Sequence, residues 1–281
     1  MKLEIQHFSQ YKYSERVVLN PHLLFLIPQQ RSYFKVERSR VQIHPEPDAV
    51  HERIDMLGNT HYQTWFQGET DSLSIEVDYI INIYPFNPFG FLFTEFIAYP
   101  FSFFQYSTDK QLFLQAFLHT EKNLDLGHYA SQFMNESKDL VSFLFNLTES
   151  IHNDWKHIIR EEENLWSADF TFKQQKGSCR DLSWMLVHIL RNIGLASRFI
   201  SGYAYNPELK EGHELHAWVE VYLPGAGWIG LDPSLGLFTD NHYIPLATGY
   251  SAELVSPVQG NFGGSALSEL KAEVWIRRSE G

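Results

Sequence analysis

The chain has 281 residues and a mass of 32.8 kDa, enough for about two domains of ~150 residues. Hydrophobic residues make up 44% and charged residues 20%, which excludes wholesale disorder, and a formal net charge of −12 repels phosphate backbones and argues against a nucleic-acid partner. A single cysteine excludes an intrachain disulfide, and no Cys/His cluster has zinc-finger spacing.

Met1 to Ser14 alternates polar and apolar residues and lacks the roughly 7–15-residue apolar run of a signal peptide, so a cytoplasmic location is expected. The clearest strand is Ser72 to Tyr84, where Leu73, Ile75, Val77, Tyr79, Ile81 and Ile83 recur at period two. Shorter runs at Val17 to Ile27, Tyr33 to Ile43, His51 to Met56 and His61 to Phe66 are set apart by Pro, Gly, Asn and Asp. Together they predict an antiparallel β-sandwich over residues 1–100. The end of this region, Tyr84 to Tyr106, is crowded with aromatic side chains. Pro85, Pro88, Pro100 and Glu95 break it well short of ~18 consecutive apolar residues, so no membrane partner is expected and the segment reads as an irregular cover over a core.

Helical spacing dominates next, over Asp109 to Leu118 and over Ser137 to Ile159, the latter with Leu140, Leu144, Leu147, Ile151, Trp155 and Ile158 on one face. A third helix is predicted from Cys179 to Ile193, stopped by Gly194 and apolar round most of its circumference, hence deeply buried. Strands follow at Ala196 to Tyr203, His216 to Leu223, Trp228 to Asp232 and Leu270 to Ile276. The whole reads as α+β: a sandwich over 1–100, then a second domain over 101–281 with a buried helix packed on an antiparallel sheet.

Cys179 lies in Lys-Gly-Ser-Cys-Arg-Asp, where a glycine-containing loop enters the buried helix. The partial positive charge of a helix start favours thiolate over thiol, and the N–H groups there can donate to a developing oxyanion. Arg180 works with that effect and Asp181 against it. Taken alone, a lone cysteine in this place reads more readily as a small buried residue than as a nucleophile. Downstream, His216 begins one strand of a predicted hairpin and Asp232 ends the other, equidistant from Pro224. Pairing Leu223 with Gly227 makes the loop odd in length and puts His216 and Asp232 on one face, where they can meet across the ladder. Taken alone, these two read more readily as an edge-strand histidine and a turn aspartate. His213-Glu-Leu-His216 lacks the spacing of a zinc helix, so no metal is expected, and His152 and His157, five apart on the predicted helix, are expected to be solvated.

Taken together, Gly177-Ser-Cys-Arg-Asp181, His216-Ala-Trp-Val-Glu-Val-Tyr-Leu-Pro and Leu231-Asp-Pro-Ser234 resemble the bacterial transglutaminase-like superfamily, whose members are classed as candidate cysteine peptidases. Ile54 to Asn59, Tyr84 to Pro88, Asn241 to Gly249 and Pro257 to Gly260 extend the likeness. Arg180 stands where glutamine is common, and Gly249-Tyr250-Ser251 replaces a frequent Gly-Arg-Asp.

The resemblance implies a papain-like core with Cys179 as nucleophile, His216 as general acid and base, and Asp232 as the orienting carboxylate. Ser178 and Trp218 are expected to contact substrate. No cofactor is implied. The expected partner is a protein or peptide whose amide bond is hydrolysed or transferred through a Cys179 acyl-enzyme. The alternative is a non-catalytic scaffold protein with a vestigial triad.

Overall fold

Period-two patterning is the rule in the N-terminal part of the computed structural model, which describes residues 1–94, 105–160, 162, 164–208 and 214–279. Its strands are β1 (Lys2–Leu19), β2 (His22–Leu24), β3 (Phe34–His44), β4 (Ala49–Ile54), β5 (Thr60–Trp65) and β6 (Thr70–Ile83). In β6 the apolar residues from Leu73 to Ile83 are buried and those between are not, because successive side chains point to opposite faces. β1 runs antiparallel along one edge of β6, from Lys2 opposite Asn82 to Lys12 opposite Ser72, and β3 covers the other edge. β2, β5 and β4 form a second antiparallel sheet.

Helices α1 (Thr108–Phe113), α2 (Gln115–Leu118), α3 (Leu124–Glu136) and α4 (Leu140–Asp154) follow, then β7 (Lys156–His157), α5 (Ala168–Gln174), β8 (Lys176–Gly177) and α6 (Cys179–Asn192). Strands β9 (Ser197–Ala204), β10 (Leu215–Leu223), β11 (Gly227–Asp232), β12 (Leu237–Phe238) and β13 (Tyr243–Gly249) make an antiparallel sheet in the order β12-β11-β10-β9-β13. Finally β14 (Val258–Gln259), β15 (Phe262–Gly263) and β16 (Ser268–Arg278) return to the N-terminal sheets, β14 beside β2 and the other two beside β1.

Leu182, Met185, Leu186, Val187, Ile189 and Leu190 of α6 have no exposed surface. They share one apolar core with α4 and with Val219, Val221, Leu223 and Leu231 of the β10–β11 hairpin. At about 1.5–3 kcal/mol for each large aliphatic side chain buried, this layer fixes the start of α6 relative to the hairpin. A second core joins the two parts of the molecule: Leu3, Ile5 and Ile81 of the first sheet pack with Tyr203, Ile244 and Leu246 of the last.

The fold class expected from sequence, antiparallel β-structure followed by an α+β core, is the fold observed. Three local readings change. The helix read over Ser137 to Ile159 spans only Leu140–Asp154, because Trp155 turns extended, buries its ring and donates its indole N–H to the Thr171 carbonyl at 3.1 Å. The apolar spacing of Trp155 came from tertiary burial and not from helix. α3 and α5 were not read, although Leu126, Ala130 and Met134 bury one face of α3. The stretch read as one helix over Asp109 to Leu118 divides at Leu114. Residues 95–104 of the aromatic segment, which include the expected boundary at 100, lie outside the described residues, as does His213. No helix among the described residues is long and apolar enough to cross a membrane.

Candidate active site

The loop into α6 is set by what cannot be there. A Cβ at Gly177 would lie 2.8 Å from the Asp181 Cβ, so only glycine lets the carboxylate fold back over the loop. Asp181, fully buried, accepts the Ser178 N–H at 2.9 Å and the Ser178 hydroxyl at 2.7 Å, which caps the helix. It also accepts the Trp166 N–H at 3.0 Å and the Arg160 guanidinium at 2.8 and 2.9 Å. Burial pushes the Asp181 carboxyl up, but these donors outweigh it and hold the group below its usual range. Arg160 in turn lies 4.2 Å over the Trp166 ring. The carboxylate that sequence reading set against the thiolate is therefore occupied by a cation, while Arg180 donates to the Glu162 carbonyl at 2.8 Å.

The hairpin has the register expected from parity. Leu223 pairs with Gly227, Tyr222 with Trp228 and Val219 with Leu231. The tight turn needs left-handed backbone at Gly225 (φ 91°) and Gly227 (φ 78°). Beyond Val219 the two strands diverge enough for the side chains of His216 and Asp232 to meet, with Nε2 and Oδ2 2.6 Å apart.

Asp232 has no exposed surface and is held on every side. Its Oδ1 accepts the Ser234 N–H at 2.9 Å, the Ser234 hydroxyl at 2.6 Å and the Leu235 N–H at 3.2 Å, and its Oδ2 accepts the Tyr243 hydroxyl at 2.7 Å. Burial raises this carboxyl, but the His216 charge and these donors hold it below the usual range. Burial likewise pulls the His216 imidazole down, yet Asp232 and the thiol outweigh it and hold the proton well above the ordinary histidine value.

Because Asp232 takes Nε2, Nδ1 of His216 is left for Cys179, whose side chain is partly exposed at the start of α6. Burial alone would push this thiol up. Hydrogen bonds from His157 and His216, the His216 charge and the Ala217 backbone N–H bring it down to about 6. The three residues singled out from sequence are thus brought together. Ser178 and Trp218 sit beneath the site. Ser178 is 6% exposed with its hydroxyl on Asp181, and Trp218 is 1% exposed, stacked behind His216 at 6.3 Å and edge-on to Tyr243 at 5.2 Å. Neither offers surface to a substrate.

Three further residues of the site were not identified from sequence. His157, exposed as expected, also reaches the thiol. His152 donates to the Ser234 carbonyl at 2.8 Å and so supports the loop after Asp232. Tyr243 carries a buried hydroxyl to the carboxylate. The one available signal was Asn241-His-Tyr, already part of the family likeness, which does not disclose what the phenol touches.

A thiol at a helix start, an imidazole and a carboxylate thus meet in the order that the family likeness implied. Residues 127–233 match the transglutaminase-like superfamily and residues 3–82 the bacterial transglutaminase-like N-terminal region. The two matches give this chain a transglutaminase-like domain and the N-terminal region that goes with such domains. An uncharacterized protein of Mycobacterium tuberculosis is 25% identical over 278 residues, covering 92% of this chain and 87% of its own. A protein-glutamine gamma-glutamyltransferase of Pseudomonas aeruginosa is 33% identical over 73 residues, 24% of this chain and 11% of its own. A candidate cysteine protease of Cytophaga hutchinsonii superposes with a TM-score of 0.73 at 18% identity, covering 100% of this chain and 92% of that one; the likeness is one of fold.

Proposed function

We propose that this protein is a thiol enzyme that acts on peptide or protein amides through an acyl-enzyme at Cys179, with hydrolysis favoured over transfer. The observation that carries this reading is a thiol drawn down to about 6 beside an imidazole whose far nitrogen is bound to a buried carboxylate. The Sγ anion attacks the carbonyl carbon, and the displaced electron pair moves to oxygen, within reach of the N–H groups at the start of α6. As the C–N bond breaks, His216 gives its Nδ1 proton to the departing amine and a thioester remains. Water then attacks the thioester, His216 takes its proton, and Sγ leaves as thiolate. An amine in place of water gives transfer. Water needs no acceptor site, which favours hydrolysis.

Asp232 holds the tautomer and steadies the imidazolium, while Trp218, Tyr243 and Ser234 hold Asp232 and His216 in place. The glutamyltransferase relative supports amides as the substrate class, through its 73-residue match. Neither nucleic acid, membrane nor cofactor enters this reading. A cytoplasmic setting suits a lone thiol that must stay reduced. The test is an electrophilic thiol probe followed by a peptide library read by mass spectrometry. Labelling of Cys179 with products that have gained water supports hydrolysis, and products that have gained an amine support transfer. An unlabelled thiol in the folded protein, with no product, refutes both.

A further inference from the structure

The site holds one more imidazole than the reaction above uses. α4 ends at Asp154, and Trp155 is anchored by its buried indole. The next two residues pair in parallel with the loop that delivers Cys179, His157 standing opposite Gly177. Two backbone bonds fix that register: Lys156 N–H to the Gln175 carbonyl at 2.9 Å and Ile158 N–H to the Gly177 carbonyl at 3.0 Å. Arg160, salt-bridged to Asp181, anchors the far end. His157 is therefore clamped between two fixed points, two residues from the thiol in the paired strand.

We propose that His157 is a second catalytic imidazole, which hydrogen-bonds the Cys179 thiolate from β7 while His216 does so from β10. This inference rests on Cys179 being the nucleophile. The chemistry gives each imidazole a separate task. His216 must surrender its proton to the departing amine, whereas His157 makes no covalent step and keeps its proton. When the thioester is attacked, the sulfur leaves as an anion, and a donor already in place makes it a better leaving group. The groups that act on His157 are Cys179 on α6, which raises its affinity for a proton, His216 on β10, which lowers it, and Asp232 at the end of β11, which raises it. On its own segment stand Lys156, exposed, and Arg160, occupied by Asp181.

The test is the rate of iodoacetamide alkylation of the single thiol against pH, in the full chain, with no substrate required. Wild type is expected to show a midpoint near 6. In His157→Phe the midpoint should rise by about one pH unit or more, and in His157→Phe/His216→Ala it should approach ~8.5, the value of an ordinary thiol. His157→Gln keeps a donor without a charge and should fall between wild type and His157→Phe; it also serves if His157→Phe does not fold. Midpoints for His157→Gln and a folded His157→Phe that coincide with wild type would overturn the proposal. A raised midpoint in a protein that turns over no amide would refute the proposed function alone. Turnover with unmoved midpoints would refute this inference alone.

Discussion

His7 in the N-terminal sheet is buried and His216 in the core is largely buried, both on antiparallel strands, and burial pulls both imidazoles toward the neutral form. His7 meets only hydroxyls: its Nδ1 lies 2.9 Å from the Tyr203 hydroxyl and its Nε2 2.8 Å from the Ser9 hydroxyl. Burial wins there, and the imidazole falls to about 4. His216 meets the Asp232 carboxylate at 2.6 Å, and the carboxylate wins. The same side chain thus serves as a neutral rivet between β1 and β9 in one region and as a charged partner of a thiol in the other. The difference lies in the charge of what faces it, more than in how deeply it is buried.

The largest effects should come from dismantling the charged pair. Cys179→Ala should abolish turnover, since no other thiol exists to replace it, and His216→Ala should come close to that. Asp232→Asn should convert His216 to the behaviour of His7 and lower the rate by ~10–10⁴-fold. Steady-state kinetics on a peptide found in the library screen measures all three, with circular dichroism to confirm folding. Asp181→Ala would remove the buried carboxylate on which Arg160, Ser178 and the Trp166 N–H converge, leaving Arg160 only the exposed Glu162 at 3.5 Å as a charged partner, and should cost about 3–5 kcal/mol in urea denaturation.

The neutral histidine makes a prediction of opposite kind. His7 binds its proton less readily folded than unfolded, so its contribution to stability is full above the ordinary histidine value and is lost as pH falls toward about 4. On the order of 3 kcal/mol should disappear across that window. Urea midpoints measured at intervals from neutral to acidic pH should fall for wild type and fall less steeply for His7→Gln, in which His188 and His22, held low by burial in the same way, remain. The smallest effect is expected from Tyr243→Phe, which removes one hydrogen bond to Asp232 and should cost ~1.5–3 kcal/mol of stability with a smaller rate loss than Asp232→Asn. A Tyr243→Phe defect as large as that of Asp232→Asn would mean that the phenol does more than steady the carboxylate.

Much of this comparison could be read before any coordinates. Strong alternation in β6, the apolar girth of α6 with Gly194 behind it, and the parity of the hairpin all follow from local periodicity, and the meeting of His216 with Asp232 follows from that parity. What could not be read is tertiary. Trp155 continues a helical apolar pattern while leaving the helix, and it brings the exposed His157 within reach of the thiol. β13 and the hydroxyl of Tyr243 reach Asp232 from a strand with no marked alternation, buried along its whole length. The C-terminal β16 alternates too weakly to reveal that it closes the first sheet beside β1.

The central claim is that a thioester forms on Cys179. Intact-mass spectrometry of the protein, quenched in acid during turnover of a peptide amide, tests it most directly. The expected result is a transient mass gain equal to the acyl portion of the peptide, mapped to Cys179 and absent from Cys179→Ala. Turnover with no adduct, continuing undiminished in Cys179→Ala, would contradict it.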